Sequence, residues 1–473
     1  MKKPKKQNHA KVALFAGATA LMALIPNSHA QSSVDALLNK LEQKGILTVD
    51  EAKELKAENQ QDSTNDFNKA MNSKFQMPDW ITSYKIYGDF RGRYDEVAST
   101  DGNTHFVDRI RYRYRLRAGL IVSMKDNLEV GFSITSGDPA SGSGGFNNAG
   151  QPLSNNSTFQ DNGTKKDVYF DTAYGKWTVL NSDGWLLSAT VGKMYNPLQF
   201  TPMVFDPDWT PEGAAVQGGY TFNDQHSILV NGVAFVEDQE VGGGDTGSVR
   251  TPALFGGQAI WNANWTKRIA TSLGIGGFAI INQTNLTTAS VPYINQGNTR
   301  IAAGGVGFLV NNYTPIIADA SVTYKLDSFP LYPGAFPIKV AGEYINNVGA
   351  NQNNNNNQGC WVGVTFGKSG KKHAWDVSYR YEYLEADAMY DQLVDDDNGA
   401  YYQNAPTGGA VGYFGGTNLK GSLIKANYSI TDALTFSFTC FLNELINPGL
   451  NTGGVGEPKN SAIHAMADLM WKF

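Results

Sequence analysis

From Tyr84 to the last residue, apolar and polar residues alternate with a period of two, in segments of about 9 to 13 residues. In the clearest segment, Leu128, Val130, Phe132 and Ile134 alternate with Glu129, Gly131, Ser133 and Thr135. The same alternation recurs at 320–326 and at 375–383. This pattern predicts strands with one apolar and one polar face, in either a soluble sandwich or a membrane barrel.

The connections between these segments alternate strictly in length, which a sandwich does not require. The short ones are 125–127, 181–184, 223–225, 266–268, 327–335, 368–372 and 431–432. The long ones are polar and span 138–166, 196–213, 238–251, 282–312, 349–358, 386–416 and 446–460; only the first outer loop, 99–104, is short. This count gives 16 strands, with short turns at the periplasm as in outer-membrane barrels. We therefore predict an all-β membrane protein, a 16-stranded antiparallel transmembrane β-barrel over residues 84–473.

The chain begins with the features of an exported protein. Residues 1–30 combine five lysines, an apolar run at 12–25 and a final Ser28-His29-Ala30, which predicts a cleavable signal peptide. The apolar run is too short for a spanning helix, which needs roughly 20 residues. Cleavage removes five positive charges and no negative one, so the formal charge falls from -6 to -11. That balance argues against nucleic acid as a partner.

Residues 31–60 predict a short periplasmic helical segment ahead of the barrel. Val34, Leu37, Leu38 and Leu41 have helical spacing, and a capping box follows at Thr48. The segment is either an oligomerisation or tethering element or an amphipathic lid on the barrel mouth. Residues 61–83 are predicted to form a linker.

The two cysteines, Cys360 and Cys440, are expected to be free thiols. The strand count places them three strands apart, both facing lipid. A disulfide needs Cα atoms within about 7 Å.

An unbroken row of alternating arginines is the strongest candidate for a functional surface. Arg109, Arg111, Arg113, Arg115 and Arg117 alternate with apolar or aromatic residues, and Arg91 and Arg93 belong to the preceding strand. Lipid-facing arginine costs roughly 2 to 4 kcal/mol at the bilayer midplane, so the row is predicted to line a water-filled lumen. It forms a basic wall that attracts anions, or one that Asp89, Asp95 and Glu129 neutralise structurally.

The loop after the fifth strand is the candidate constriction. It carries Asp206, Asp208 and Glu212 among prolines that fix φ and stiffen the segment. An acidic loop opposite a basic wall would give a transverse electric field at the narrowest point. The alternative is a loop that lies over the rim.

Other candidate motifs point to no chemistry. Asp395, Asp396 and Asp397 do not have the alternate spacing of an EF-hand, so a solvated acidic loop is expected. None of the histidines lies in a metal or nucleophile motif. We expect no catalytic residue, no metal and no cofactor.

Three patches resemble a known family. LLNKLEQKGILT at 37–48, followed by Glu51 and Ala52, resembles the leader of the putative-porin family, and FDPDWTPEGA at 205–214 is similar to a segment of that family. The final strand has Leu469, Trp471 and Phe473 on one face, and this ending resembles the recognition signal read by the barrel-insertion machinery. The resemblance implies a homotrimeric porin in the Gram-negative outer membrane, in contact with lipid and lipopolysaccharide.

Together these features predict an outer-membrane porin for passive diffusion of small hydrophilic solutes. The leading alternative is an anion- or phosphate-selective porin. A barrel enzyme would need a serine and a histidine side by side on the outer face, and a closed structural barrel would need a filled lumen.

Overall fold

The computed structural model describes residues 78–101, 104–138, 153–239, 251–288, 290–291, 296–351, 355–399, 415–448, 450 and 460–473. The expected signal peptide, helical segment and residues 61–77 of the expected linker lie outside these ranges and stay predictions. The first strand begins at Ile81, three residues before the predicted start of the barrel at Tyr84.

Sixteen long strands of the described chain form one closed antiparallel barrel, which confirms the predicted fold. The first eight are β1 Ile81–Asp101, β2 Thr104–Met124, β3 Leu128–Gly137, β4 Asp167–Ser182, β5 Trp185–Lys193, β6 Glu212–Thr221, β7 His226–Val236 and β8 Ala253–Asn264. The others are β9 Ile269–Ile281, β10 Pro315–Leu326, β11 Phe336–Asn347, β12 Gln358–Gly367, β13 Trp375–Leu384, β14 Leu419–Ser429, β15 Leu434–Leu445 and β16 Asn460–Lys472. Each strand pairs with the next in sequence, and β1 pairs with β16 to close the barrel, with Phe90 opposite Trp471.

The remaining described elements are short. They are the 3-10 turns Lys125–Asn127, Asp161–Gly163 and Gln283–Asn285, the strand Ser157–Thr158 beside β2, and a ribbon of Arg300–Ala303 with Val306–Leu309. No helix in the described ranges is long and apolar enough to cross a membrane.

The outward face of the barrel is apolar, as the alternation predicted. Leu128, Val130, Phe132 and Ile134 on β3 expose 39% to 46% of their surface, although they are large hydrophobic residues. Val322 on β10 and other apolar residues at alternate positions are exposed in the same way. Such a band is favourable only against lipid, because exposing it to water would forfeit the hydrophobic free energy.

Three outer loops fold together into a buried apolar core. They are the third loop (194–211), the fifth loop (282–314) and the seventh loop (385–418), and they pack against inward residues near the outer ends of the strands. The core includes Met203, Val204 and Phe205 from the third loop, Tyr313 from the fifth, Met389, Tyr390, Leu393 and Val394 from the seventh, and Phe278, Ile317 and Ile345 from the strands. These loops thus fill part of the lumen.

Both cysteines are free thiols, as predicted. Cys360 is exposed on β12, and Cys440 is half-buried on β15, three strands away.

Candidate pore constriction

The structure places the arginine row on the inward face of β2. Arg113 is only 2% exposed and Arg115 is buried, whereas Ile110, Tyr112 and Leu116 are exposed on the opposite face. Alternation along the strand fixes this division, because successive side chains point to opposite faces.

Acidic residues of β1 neutralise much of this row. Asp89 accepts hydrogen bonds from Arg115, at 2.8 Å, and lies 2.7 Å from a guanidinium nitrogen of Arg117. Glu129, which was expected to share this role, instead accepts a hydrogen bond from the hydroxyl of Tyr174 at 3.0 Å.

Asp95 is a second neutralising group and is fully buried. Its carboxylate lies 3.0 Å from a nitrogen of Arg111, 3.7 Å from one of Arg113 and 3.5 Å from Nε2 of His464. A charge removed from water this completely is tolerated only with such partners.

Asp468 on β16 binds the arginines of β1, because β16 is hydrogen-bonded to β1 where the barrel closes. Its two oxygens accept hydrogen bonds from Arg93 at 2.8 and 2.9 Å, and it lies 3.9 Å from Arg91. The bidentate geometry fixes the guanidinium plane of Arg93. Sequence reasoning missed Asp468, although its even position in β16, opposite to that of Trp471, would have placed it on the inward face.

The third outer loop reaches the basic wall, as the sequence suggested. Asp208 lies 3.5 Å from Arg115 and accepts a hydrogen bond from the amide of Asn155 at 3.3 Å. Asn155 belongs to the second outer loop, which the sequence did not implicate. The neighbouring Ser154 and Asn156 accept hydrogen bonds from Arg113 at 3.1 Å and Arg91 at 2.6 Å, so a polar strip of this loop covers part of the wall.

Glu212 does not belong to the constriction loop as predicted. It is the first residue of β6, its side chain is exposed, and it pairs with Lys193 at 3.2 Å. The strand begins here because Glu212 pairs with Val236 of β7, which fixes the residue at the outer rim.

The acidic run of the seventh loop is not a solvated surface loop, contrary to expectation. Asp397 lies 3.2 Å from Arg93, and Asp395 and Asp396 are half-buried beside Asp206 of the third loop. Carboxylate oxygens of Asp206, Asp395 and Asp396 all lie within 4.8 Å of one another. We call these three residues the carboxylate trio.

Backbone hydrogen bonds join the two loops beside the trio. The amide of Asp206 donates to the carbonyl of Leu393 at 2.6 Å, and the amide of Asp395 donates to the carbonyl of Pro202 at 3.0 Å. The third and seventh loops are therefore joined directly where they reach the basic wall.

Burial and mutual repulsion keep protons on the trio. The pKa values of Asp206 and Asp395 lie well above the usual range, and that of Asp396 is raised to about 7. Burial also acts on Asp397, but the guanidinium of Arg93 outweighs it and lowers the pKa of Asp397. Carboxyl groups this close together can share protons.

Two cavities lie on either side of this contact. One of about 890 Å³ is lined by inward residues toward the periplasmic end, and one of about 530 Å³ lies toward the outer loops. Ser154 and Asp208 line both cavities. The contact between Asp208 and Arg115 thus lies where the two spaces approach each other.

Four lysines line the periplasmic cavity: Lys85, Lys339, Lys425 and Lys472. All four are exposed, and none forms an ion pair with a carboxylate in the described part of the chain. Unlike the arginines, they carry charge that the protein does not neutralise by direct contact.

The chain is similar to a porin family and to solved structures of porins and an outer-membrane channel. Residues 103–290 match the profile of a family described as putative porin, which confirms the resemblance to that family. No match was found among curated proteins. Similar solved structures include OprB of Pseudomonas putida, with 12% identity over 82% of this chain and 94% of that chain, at a TM-score of 0.45. The outer-membrane channel DcaP of Acinetobacter baumannii has 13% identity over 83% and 97% of the two chains, at a TM-score of 0.40. A triple mutant of the Rhodopseudomonas blastica porin has 9% identity over 82% of this chain and 100% of that chain, at a TM-score of 0.39.

Proposed function

We propose that this chain is an outer-membrane porin through which small hydrophilic solutes diffuse passively. The observation that carries the proposal is the contact of Asp208 with Arg115, at 3.5 Å, between two water-accessible cavities inside a closed barrel. Solutes would pass beside this contact, along residues such as Ser154 and Asp208 that line both cavities. No cofactor is needed for such a process.

The charges at this point would order the solute rather than bind it tightly. Arginines on β1 and β2 contact acidic residues of the two loops at the edge of the path, and low-dielectric walls focus the field around these charges. A polar solute with a dipole gains free energy by aligning with that field, whereas an apolar solute gains nothing. The selectivity proposed here is therefore for small polar molecules and ions.

Single-channel recording in a planar bilayer tests this proposal. We expect discrete conductance steps from the wild type and a reversal potential that shifts toward anion preference in Asp208→Asn, because one negative charge is lost at the constriction. Asp327→Asn is the matched control, since it removes a carboxylate that pairs with Arg268 and lines neither cavity. A complete lack of conductance would refute the proposal that this chain is a porin.

An anion-selective porin is the second candidate, favoured by the unpaired lysines of the periplasmic cavity. Lys339 and Lys425 lie in one cross-strand row through Thr365 and Ser378. If this row sets selectivity, Lys339→Gln with Lys425→Gln lowers the anion-to-cation permeability ratio more than Asp208→Asn raises it. Phosphate block of the chloride current would then identify the phosphate-selective type.

We also propose a homotrimer in contact with lipopolysaccharide and lipid. Gly232, Gly257 and Gly277 are cross-strand partners on β7, β8 and β9, and they face outward because their neighbours Asn231, Gln258 and Phe278 are buried inside. This strip without side chains allows a close approach of a second barrel. Gly232→Leu, at a position where an added Cβ meets no atom within 4 Å, should shift the mass of the detergent-solubilised protein from trimer to monomer, and an unchanged trimer would refute this contact.

Export by a cleavable signal and recognition of Phe473 by the insertion machinery complete the proposed localisation. In the folded barrel the amide of Phe473 donates to the carbonyl of Gly88 at 3.1 Å, so the last residue also closes the first and last strands. Deleting Phe473 should lower the amount of barrel recovered from outer membranes. We propose no enzymatic activity: His464, the histidine of the last strand, is buried and binds Asp95 rather than an outward serine.

A further inference from the structure

Four aromatic rings gather at the periplasmic end of β10 to β13. Phe329 stacks on Phe336 with ring centroids 4.1 Å apart, and Tyr332 and Trp375 contact the same ring at 4.9 and 5.3 Å. Phe336 and Trp375 occupy outward positions, because they alternate in phase with the exposed Val340 and Val377. The turn 327–335 therefore folds over the outer surface of the barrel and not into the lumen.

The tip of this turn presents an apolar side chain. Leu331 is 94% exposed and has a φ of 60°, a conformation that costs an ordinary residue roughly 1 to 2 kcal/mol. The indole nitrogen of Trp375 donates to the carbonyl of Leu331 at 3.0 Å, and the hydroxyl of Tyr332 donates to the carbonyl of Lys368 at 2.9 Å. These bonds hold the turn in one conformation and keep the leucine pointing away from the protein.

The adjacent turn adds uncompensated positive charge. Lys368, Lys371 and Lys372 are exposed, and none makes an ion pair with a carboxylate in the described residues. Three acids lie near the two turns: Asp432 accepts the backbone amide of Lys372 at 2.7 Å, Asp376 accepts that of Ser369 at 2.8 Å, and Asp327 pairs with Arg268. We call the two turns together the rim patch.

We propose that the rim patch binds the headgroup of an anionic phospholipid in the leaflet that faces the periplasm. The aromatic rings have the amphipathic character that favours the membrane interface, and Leu331 would enter the acyl region beneath it. The lysines complement the phosphate charge that this lipid retains and that a zwitterionic lipid balances internally. This inference requires only a membrane-embedded barrel and is independent of what the channel conducts.

Quenching by brominated lipid tests the proposal in reconstituted vesicles. The full barrel is placed in phosphatidylethanolamine with one-quarter phosphatidylglycerol, and either lipid carries the bromine. The signal of Trp375 is the difference between the wild type and Trp375→Phe. We expect stronger quenching by brominated phosphatidylglycerol than its share of the lipid predicts.

Matched variants separate a headgroup site from general attraction. Lys371→Gln with Lys372→Gln should lower the preference for phosphatidylglycerol by up to roughly thirtyfold, from the attraction of each lysine to anionic lipid. Lys125→Gln with Lys267→Gln removes two positive charges from other periplasmic turns and should leave the preference unchanged. Leu331→Asn, which suits the left-handed backbone, should weaken quenching by both lipids.

Four outcomes would overturn the proposal. Equal quenching by the two lipids would mean that the patch is a general lipid contact. An equal loss of preference in the Lys371/Lys372 and Lys125/Lys267 double variants would mean that the preference reflects only the net charge of the protein. A preference abolished by inorganic phosphate at constant ionic strength would identify free phosphate as the ligand. No quenching of Trp375 at all would mean that protein, not lipid, covers the patch.

Discussion

Individual buried charges in this barrel are stabilised by specific partners and not by water. Arg113 and Asp95 are almost completely buried, and the arginine nitrogen lies 3.7 Å from the carboxylate. Breaking a buried pair by removing one partner is costly, because the other charge is left uncompensated in a medium of low dielectric. The basic wall therefore depends on its acidic partners for its geometry.

Asp95→Asn should consequently destabilise the barrel strongly. The substitution keeps the size of the side chain but leaves Arg111 and Arg113 without their shared anion, and buried cases of this kind cost about 3 to 5 kcal/mol. Unfolding in urea, followed by heat-modifiable migration on gels, measures the change in unfolding free energy. Asp327→Asn, in an exposed pair with Arg268, should have no measurable effect. Equal effects of the two substitutions would contradict this account.

At the scale of elements, the third and seventh loops behave as one unit. Their hydrophobic residues share a buried core, and their backbones are hydrogen-bonded beside the carboxylate trio. Both the width and the charge of the constriction should therefore respond to changes in either loop.

Loosening the seventh loop should widen the channel. Leu393 is buried in the shared core, and replacing such a leucine by alanine lowers the stability of the packed core by about 2 to 5 kcal/mol. We expect Leu393→Ala to increase single-channel conductance and its fluctuations, with the strands retained by circular dichroism. Leu273→Ala, on the exposed outward face of β9, is the control and should conduct like the wild type. An unchanged conductance in Leu393→Ala would mean that the seventh loop does not shape the constriction.

The charge of the trio should make ion selectivity depend on pH. Burial raises the pKa of Asp396 to about 7, so the carboxyl is protonated below that pH and becomes negative as the pH rises through it. The permeability ratio of cations to anions should therefore increase between about pH 6 and pH 8. Asp396→Asn should remove most of this increase, and Glu212→Gln should not. A flat profile in the wild type would mean that the trio does not face the conducting path.

Strand-level features were predictable from the sequence, and loop insertion was not. Alternation of residues such as Val130 and Phe132 is a local signal, because each strand needs one lipid-facing side. By contrast, Asp397 meets Arg93 across 304 positions of the chain, and an isolated acidic run resembles a solvated loop. The apolar residues of the seventh loop, such as Leu393 and Val394, were the available indication that it is buried.

At the scale of the whole molecule, charge is distributed unevenly along the barrel axis. The outer cavity is lined by six acidic residues and one lysine: Asp138, Asp171, Asp208, Glu212, Glu237, Asp238 and Lys193. The periplasmic cavity is lined by nine basic and seven acidic residues, and its four unpaired lysines give it an excess of positive charge. Mobile cations should thus gather on the outer side of the constriction and mobile anions on the periplasmic side.

This asymmetry predicts that the channel rectifies at low salt. When the outer side is positive, cations from the outer cavity and anions from the periplasmic cavity are both driven toward the constriction, so carriers accumulate and the current is larger. Current and voltage should be recorded at about pH 8, where Glu237, with a pKa raised by burial to about 7, is ionised. Rectification should be strong in about 0.01 M salt, where the Debye length is roughly 30 Å, and vanish in about 1 M salt, where it is roughly 3 Å.

Replacing Lys339 and Lys425 with glutamine should reduce the rectification ratio toward one, because the periplasmic cavity then carries less positive charge. Lys125→Gln, on a periplasmic turn outside the cavity, is the control and should leave the ratio unchanged. The orientation of the inserted channel is determined by adding a protease to one side and testing whether the long outer loops are cleaved. A larger current with the outer side negative would contradict the charge distribution assigned to the two cavities. A ratio of one at low salt would mean that the two cavities do not lie on one conducting path.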